Sequence, residues 1–384
     1  MILLNFIFAA LAALSLALVF WQFFAAKKFP LHQRISDASF SPAISLLKPL
    51  KGCDSTISDS LQSWFNQNYT GQIQILFGVA SADDPVCDIV RDLMKKYPGG
   101  DMQLVVCGEA LGANAKVSTL IQLEKMVKHD LVLVSDADVR VPPDFLANMV
   151  APLRDQEIAL VNCFYRLANP TTNAMQWEAV AINADFWSQV LQSQTLKPLD
   201  FALGAAILMR RKALDEAGSY KALANCLADD YQVGNRIAKK GGKIALCPVV
   251  VECWDSPKDW AGIWKHQLRW ARTIRVCQPL PYFFSILSNA TLWPLLWFVV
   301  ALIATGTFCA PLTAVTFVLI RIALAQSLQR RFLESRQKPA AFWLVPVKDL
   351  LQAAIWAAAF SGDQIEWRGR KMRLRPNGDL EPIG

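Results

Sequence analysis

Three hydrophobic patterns follow one another along the chain. Residues 2 to 25 form an uncharged apolar run, long enough to cross about 30 Å of hydrocarbon as a helix. Lys27 and Lys28 follow this run instead of preceding it, the reverse of the charge order in a signal peptide. By the positive-inside rule the N-terminus faces out and the following chain faces the cytoplasm. Residues 1–26 are therefore expected to be a transmembrane signal anchor, and 27–42 a polar, Pro-containing linker.

The second pattern runs from 43 to about 255. Short apolar runs at 43–47, 73–79, 103–107, 131–135, 158–164, 205–210 and 243–251 read as strands. Between them, helical stretches are expected at 54–67, 85–97, 115–128, 143–153, 173–192, 211–217 and 229–240. This alternation predicts an α/β domain over 43–257, a mostly parallel sheet with helices on both faces.

The third pattern begins at 258. Lys265, Arg269 and Arg272 fall on one helical face, while Trp260, Ile263, Trp264, Trp270, Ala271 and Ile274 cover much of the rest, so 258–279 reads as an amphipathic helix lying in a membrane interface. Residues 280–328 are almost uncharged until Arg321 and fit two further spans, about 286–306 and 309–327, turning near Gly306. Within 329–384, the apolar stretch 340–361 carries Lys348 and Asp349 at its centre. A third span there would place the basic tail outside, against the charge bias, so an interfacial or re-entrant helix is expected.

Composition agrees with this division. The 384 residues are 53% hydrophobic with mean hydropathy +0.26, too apolar for an ordinary soluble protein, yet 18% are charged, too many for a membrane bundle alone. The net charge of +7 is concentrated beside apolar segments, at Lys27, Lys28, Arg330, Arg331, Arg368, Arg370, Lys371, Arg373 and Arg375. That placement favours a bilayer over nucleic acid as the partner. The nine cysteines show no Cys-x-x-Cys spacing and the three histidines are dispersed, so neither a zinc site nor a disulfide framework is expected.

Chemistry-bearing residues recur just past strands or at helix starts. Ser135-Asp136-Ala137-Asp138 ends the apolar run Leu131 to Val134. Ligands of open α/β sheets bind beyond the carboxyl ends of strands. Two carboxylates one residue apart there can hold a hard divalent cation, with a diphosphate completing the oxygen shell. The same residues also suit a turn. Asp83-Asp84-Pro85 and Ala228-Asp229-Asp230-Tyr231 equally suit helix N-caps. Gly108 to Lys116 can bring backbone N–H groups and an ammonium to a phosphate, but lacks the P-loop spacing. His266-Gln-Leu-Arg-Trp270 lies in the interfacial helix.

Taken in order, these sites resemble the membrane-bound family 2 and family 21 glycosyltransferases, with the best match to the ceramide glucosyltransferases and their bacterial relatives acting on hopanoids. The resemblance spans about 43 to 275 and includes Ser45-Leu-Leu-Lys-Pro-Leu-Lys-Gly52 and Asn114-Ala-Lys116. It implies a GT-A-like fold with N- and C-terminal transmembrane helices. It implies Asp84 in the nucleotide site, Asp136 at the metal and diphosphate, and Asp230 as catalytic base. It also places His266 to Trp270 at the family's Gln/Arg-x-x-Arg-Trp motif, with His266 replacing Gln or Arg.

The expected chemistry is inverting transfer of one sugar from a UDP-sugar to a membrane-lipid hydroxyl, ceramide or a hopanoid, assisted by Mg²⁺ or Mn²⁺. Asp136 and Asp138 would hold the cation, Arg269 and Lys116 would face the nucleotide sugar, and Trp270 and His266 would contact the acceptor or sugar. A processive polysaccharide synthase would need more spans for a secretion channel. A dolichol-phosphate-type enzyme and a non-catalytic membrane protein with an α/β domain are further alternatives. The expected location is multi-pass in a membrane, a bacterial inner membrane, with the catalytic domain cytoplasmic.

Overall fold

The structure is a computed structural model describing residues 1–305, 309–334, 338–367 and 370–383. The turn expected near Gly306 lies outside them, as does Arg368. The chain forms two compact units. One holds Pro30–Asn169, Lys197–Ser256 and the residues from Gly378 on. The other holds Met1–Phe29, Pro170–Leu196 and Pro257–Asn377.

The first unit is built on a sheet in the order β3-β2-β1-β4-β7-β6-β8-β5. Its strands are β1 (Ile44–Pro49), β2 (Ile73–Val79), β3 (Asp101–Val106), β4 (Leu131–Ser135), β5 (Val139–Arg140), β6 (Ile158–Leu167), β7 (Ala206–Arg210) and β8 (Lys243–Cys253). Each predicted run is found as a strand. Four of the seven neighbouring pairs are parallel, and three are antiparallel because β5 and β7 run against their neighbours. The two-residue β5 is too short to leave a periodic signal.

Helices α2 (Ile57–Gln62), α3 (Val86–Lys96) and α5 (Phe145–Val150) carry Ile57, Leu61, Val90, Leu93, Phe145 and Met149 into one core with Ile44, Leu46, Ile75 and Phe77 of the sheet. The alternate strand positions point the other way. There Ser45 and Gln74 bond the backbone of residues 126–129, just after α4 (Ala115–Glu124). Helices therefore cover both faces. Helices α8 (Arg211–Glu216) and α9 (Asp229–Lys239) complete this unit; α6 (Asn173–Val180) and α7 (Trp187–Gln194) belong to the other.

In the second unit, α1 (Ile2–Lys28) and α13 (Cys309–Leu333) are each long and apolar enough to cross a membrane. The segment Pro279–Ser288, which opens with α11 (Pro279–Phe284), meets α12 (Leu292–Thr305) at a 49° bend, and that pair would make a third span if it acts as one. Val19, Ala290 and Leu324 pack together, with Phe20, Phe23 and Ile320 against them. The predicted helix over 173–192 is found as α6 (Asn173–Val180), a π-helical turn at Ala181–Phe186 and α7 (Trp187–Gln194). It lies in the same unit as α1 and α13: Trp21 donates to Thr195 at 3.1 Å.

The amphipathic helix is α10 (Trp260–Cys277), N-capped by Asp259, which accepts from Gly262 N at 2.8 Å. The stretch expected to be interfacial or re-entrant is α14 (Leu344–Ala359). Its 16 residues fall short of the ~20 that a helical span needs.

Lys348 and Asp349 of α14 do not face water. With Arg321, halfway along α13, and Asp185 of the π-helical turn, they form a buried cluster of two cations and two anions. Arg321 Nη2 lies 2.8 Å from Asp185 Oδ2 and 2.9 Å from Asp349 Oδ1, and Lys348 Nζ meets both carboxylates. Thr291 Oγ1 adds a bond to Asp349 Oδ2 at 2.6 Å. The basic tail is partly ordered as β9 (Gln364–Trp367) paired antiparallel with β10 (Arg370–Leu374); Lys265 reaches Glu366 at 2.9 Å.

Removing one ion from such a cluster leaves an uncompensated buried charge, at a cost of about 3–5 kcal/mol. Arg321→Met is expected to destabilise the protein by about that amount, read as a lowered thermal midpoint in detergent against wild type.

Candidate functional site: an acidic centre at the sheet edge and a histidine centre on the amphipathic helix

The parallel strands β1, β2 and β4 end at Pro49, Val79 and Ser135 on one edge of the sheet, and antiparallel β7 begins there, Ser135 facing Ala206. Asp136 N donates to Ala205 O at 3.2 Å, holding the acidic loop against the start of β7. Beyond Asp138 the short β5 pairs with Glu252 and Cys253 of β8, and Trp254 N donates to Asp138 O at 3.0 Å. Both ends of the Asp136–Asp138 turn are thereby fixed.

Lys116 draws two of the sequence-identified carboxylates together. Its Nζ lies 2.8 Å from Asp136 Oδ1 and 3.0 Å from Asp229 Oδ2, and its side chain is only 11% exposed. Burial opposes the lysine's charge, but Asp136 and Asp229 outweigh it and raise its pKa. The lysine is delivered by Asn114, wholly buried at the N-cap of α4, whose Oδ1 accepts from Val117 N at 3.1 Å. Asn114 Nδ2 donates to Cys226 O at 2.7 Å, and Asn114 N donates to Ala224 O at 2.9 Å. The loop before α4 is thus stapled to the loop before α9.

Asp230, next to Asp229, is half-buried, and its Oδ1 accepts from Tyr231 N at 2.7 Å. A Cβ at Gly204 would lie 2.5 Å from Asp230 Oδ2, so glycine there makes room for the carboxylate. Burial, with Asp229 beside it, pushes the Asp230 pKa up to about 6. Asp138 is likewise pushed up to about 7, by burial and by Asp136 and Asp255.

Asp84 stands at the end of β2, two strands from β4, and both its oxygens accept from Gly52 N, at 3.1 and 3.0 Å. Gly52 has φ +72°, a left-handed conformation that suits glycine. One oxygen of Asp84 also accepts from Val86 N at 3.1 Å, although the N-cap residue of α3 is Pro85, which makes no side-chain cap bond. Asp229 and Asp230 likewise make no side-chain cap to α9.

Lys48, quoted above only as part of the stretch Ser45 to Gly52, is a lysine within an apolar strand that also belongs to this centre. It is fully buried, donates to Ser135 Oγ at 3.3 Å and to the Asp136 carbonyl, and lies 4.9 Å from the Trp64 ring centre. Burial lowers its pKa to about 7, against the pull of Asp136 and Asp138.

A divalent cation at this edge would need hard oxygen donors. Asp136 and Asp138 offer donors of that type on one turn. Among the described residues no three His, Cys, Asp or Glu side chains close on one point, so the protein would supply two carboxylates and a bound diphosphate the remaining oxygens. On donor chemistry the residues fit.

The second unit holds the remaining expected residues on α10. His266 Nδ1 lies 2.7 Å from Glu178 Oε1, and Gln267 Nε2 donates to the same oxygen at 2.7 Å. The His266 and Trp270 rings are 4.6 Å apart, and Trp270 also meets Phe186 at 6.4 Å. Arg269 lies on the same helix, its carbonyl accepting from Thr273 Oγ1 at 2.8 Å. Glu178, on α6 and 2% exposed, has no distinguishing pattern in the sequence.

A mixed α/β sheet bearing carboxylates and a lysine at one strand edge, in a chain with membrane-length helices, is the GT-A-like architecture of a glycosyltransferase. Residues 6–380 match the family model for glycosyl transferase family 21, and the chain belongs to that family. It is 28% identical over 222 residues to ceramide glucosyltransferase 3 of Caenorhabditis elegans, covering 57% of this chain and 48% of that protein. It is 26% identical over 219 residues to ceramide glucosyltransferase 1 of the same organism, covering 57% and 47%. The chain thus spans about half the length of the curated relatives it matches. In fold it is similar to the mannosyltransferase PcManGT from Pyrobaculum calidifontis, solved in complex with GDP-Man and Mn²⁺. The TM-score is 0.55 at 20% identity, covering 93% of this chain and 98% of that one.

Asn114→Ala removes a helix cap and leaves the Cys226 carbonyl without its side-chain donor, an expected loss of about 2–3 kcal/mol. The thermal midpoint of the detergent-solubilised variant, compared with wild type, measures it.

Proposed function

We propose that this chain is an inverting glycosyltransferase that moves one hexose from a UDP-sugar to the hydroxyl of a membrane lipid, ceramide or a hopanoid. The observation that carries this reading is the acidic centre at the strand ends, where Lys116 bridges Asp136 and Asp229 next to Asp230, in a family 21 chain. The names of the curated relatives support ceramide as acceptor and glucose as sugar.

A lipid hydroxyl is a poor nucleophile and needs a base. Asp230 takes its proton as the oxygen attacks the anomeric carbon opposite the departing diphosphate, so an α-linked donor gives a β-linked product. Raised proton affinity suits that role, because a base works best with a pKa near the working pH. Asp84 contacts the nucleotide, and Lys116 and Arg269 offset charge on the diphosphate. A divalent cation, held by Asp136 and Asp138, would supply further charge neutralisation to the leaving group. Trp270 and His266 contact the acceptor or the sugar. The catalytic domain, 43–257, faces the cytoplasm, and α10 lies in the interface where a lipid substrate arrives.

Membranes carrying the protein, incubated with each radiolabelled UDP-sugar and ceramide or hopanoid, are expected to yield one labelled glycolipid. An unlabelled lipid extract with every sugar overturns the reading. Asp230→Asn is expected to abolish transfer while UDP binding persists; near-normal turnover removes the base assignment. Because the base must be deprotonated, kcat/KM should fall as pH drops through about 6, above the range of an ordinary carboxylate. EDTA is expected to silence transfer and Mg²⁺ or Mn²⁺ to restore it, with full activity in chelator removing the cation from the mechanism.

A further inference from the structure

The geometry points to Glu178 as a positioning residue for the lipid acceptor, acting through His266, whose Nε2 accepts a hydrogen bond from an acceptor hydroxyl. The inference rests on the proposed transfer to a lipid hydroxyl and adds to it a residue and the polarity of a contact.

Glu178 is a carboxylate with 2% exposure in the helix layer that contains the membrane helices. Such a group is tolerated only when its oxygens are bonded. Both bonds to its Oε1 come from one turn of α10, from His266 Nδ1 and Gln267 Nε2, each at 2.7 Å. The two helices are also tied at their starts. Thr172 caps α6, accepting from Met175 N at 3.1 Å, and its hydroxyl donates to Lys258 O at 2.7 Å, just before α10. Trp177 packs near Trp260, with ring centres 6.2 Å apart. Glu178 therefore approaches His266 from a fixed direction.

That contact decides which ring nitrogen is available. An ionised carboxylate can only accept, so Nδ1 carries the hydrogen and donates. In the neutral imidazole the lone pair then resides on Nε2. No hydrogen-bond partner is found for Nε2 among the described residues, and the side chain keeps 22% of its surface exposed. Trp270, 4.6 Å away, provides a flat apolar wall beside it. An acceptor nitrogen next to an aromatic face on an amphipathic helix suits a ligand that is apolar with a hydroxyl donor. A lipid alcohol has that chemistry; a phosphate or carboxylate headgroup, which offers only acceptors, does not. Buried partners of this kind commonly fix the tautomer and ring orientation of a working histidine.

The test uses purified full-length protein in detergent and two probes, a short-chain ceramide and its 1-O-methyl ether, with binding read from tryptophan fluorescence. Wild type is expected to bind the alcohol about tenfold more tightly than the ether, the effect of one good hydrogen bond. His266→Asn keeps an amide donor for Glu178 but deletes Nε2, so it should bind the two probes equally. Glu178→Gln should weaken alcohol binding three- to tenfold while leaving UDP affinity unchanged, and should add nothing in the His266→Asn background. Equal binding of both probes by wild type overturns the inference. So does a Glu178→Gln effect of the same size in both backgrounds, which would mark a role in folding alone. Transfer of labelled sugar by wild type is scored separately: its absence defeats the proposed function, whereas the binding comparison judges His266 and Glu178.

Discussion

The acidic edge of the sheet depends on one ammonium. Asp136 and the Asp229–Asp230 pair come from segments far apart in the chain, and like charges so close repel. Lys116 stands between Asp136 and Asp229 with little exposure, where screening by water and salt is weakest. Asn114 sets its position by capping α4 and holding the loop before α9 in the same stroke. Without this cation the end of β4 and the start of α9 would have an electrostatic reason to separate. With it, they form one rim.

Charge at this edge is nonetheless incompletely balanced. Lys48 donates to the backbone carbonyl of Asp136, while the Asp136 carboxylate pairs with Lys116. Asp138 and Asp230 both hold their protons more tightly than ordinary carboxylic acids. Burial is the main cause in both, with neighbouring carboxylates adding to it.

The strands were legible because each is a short, β-branched, apolar run bounded by polar turns, and such runs survive reading without any partner. Asp136, Asp230 and Lys116 were legible because strand ends and helix starts locate them. Pairings were harder to see. Lys48 and Glu178 gain meaning only from residues 80 to 90 positions away, and periodicity is blind to that distance. The strand β5 is too brief to alternate, and the basic tail gave charge but no hint of its pairing as β9 and β10. Lys348 and Asp349 were visible as an anomaly in an apolar stretch; their partners Arg321 and Asp185 were not.

That anomaly bears on the order in which the protein is assembled. Asp185 is synthesised first, Arg321 well after it, and Lys348 with Asp349 last. Each is costly to leave buried without a partner, and the four together carry no net charge. The pairing of α14 with Asp185 and Arg321 therefore joins three separately encoded segments of this unit, and each carboxylate of the cluster meets both of its cations.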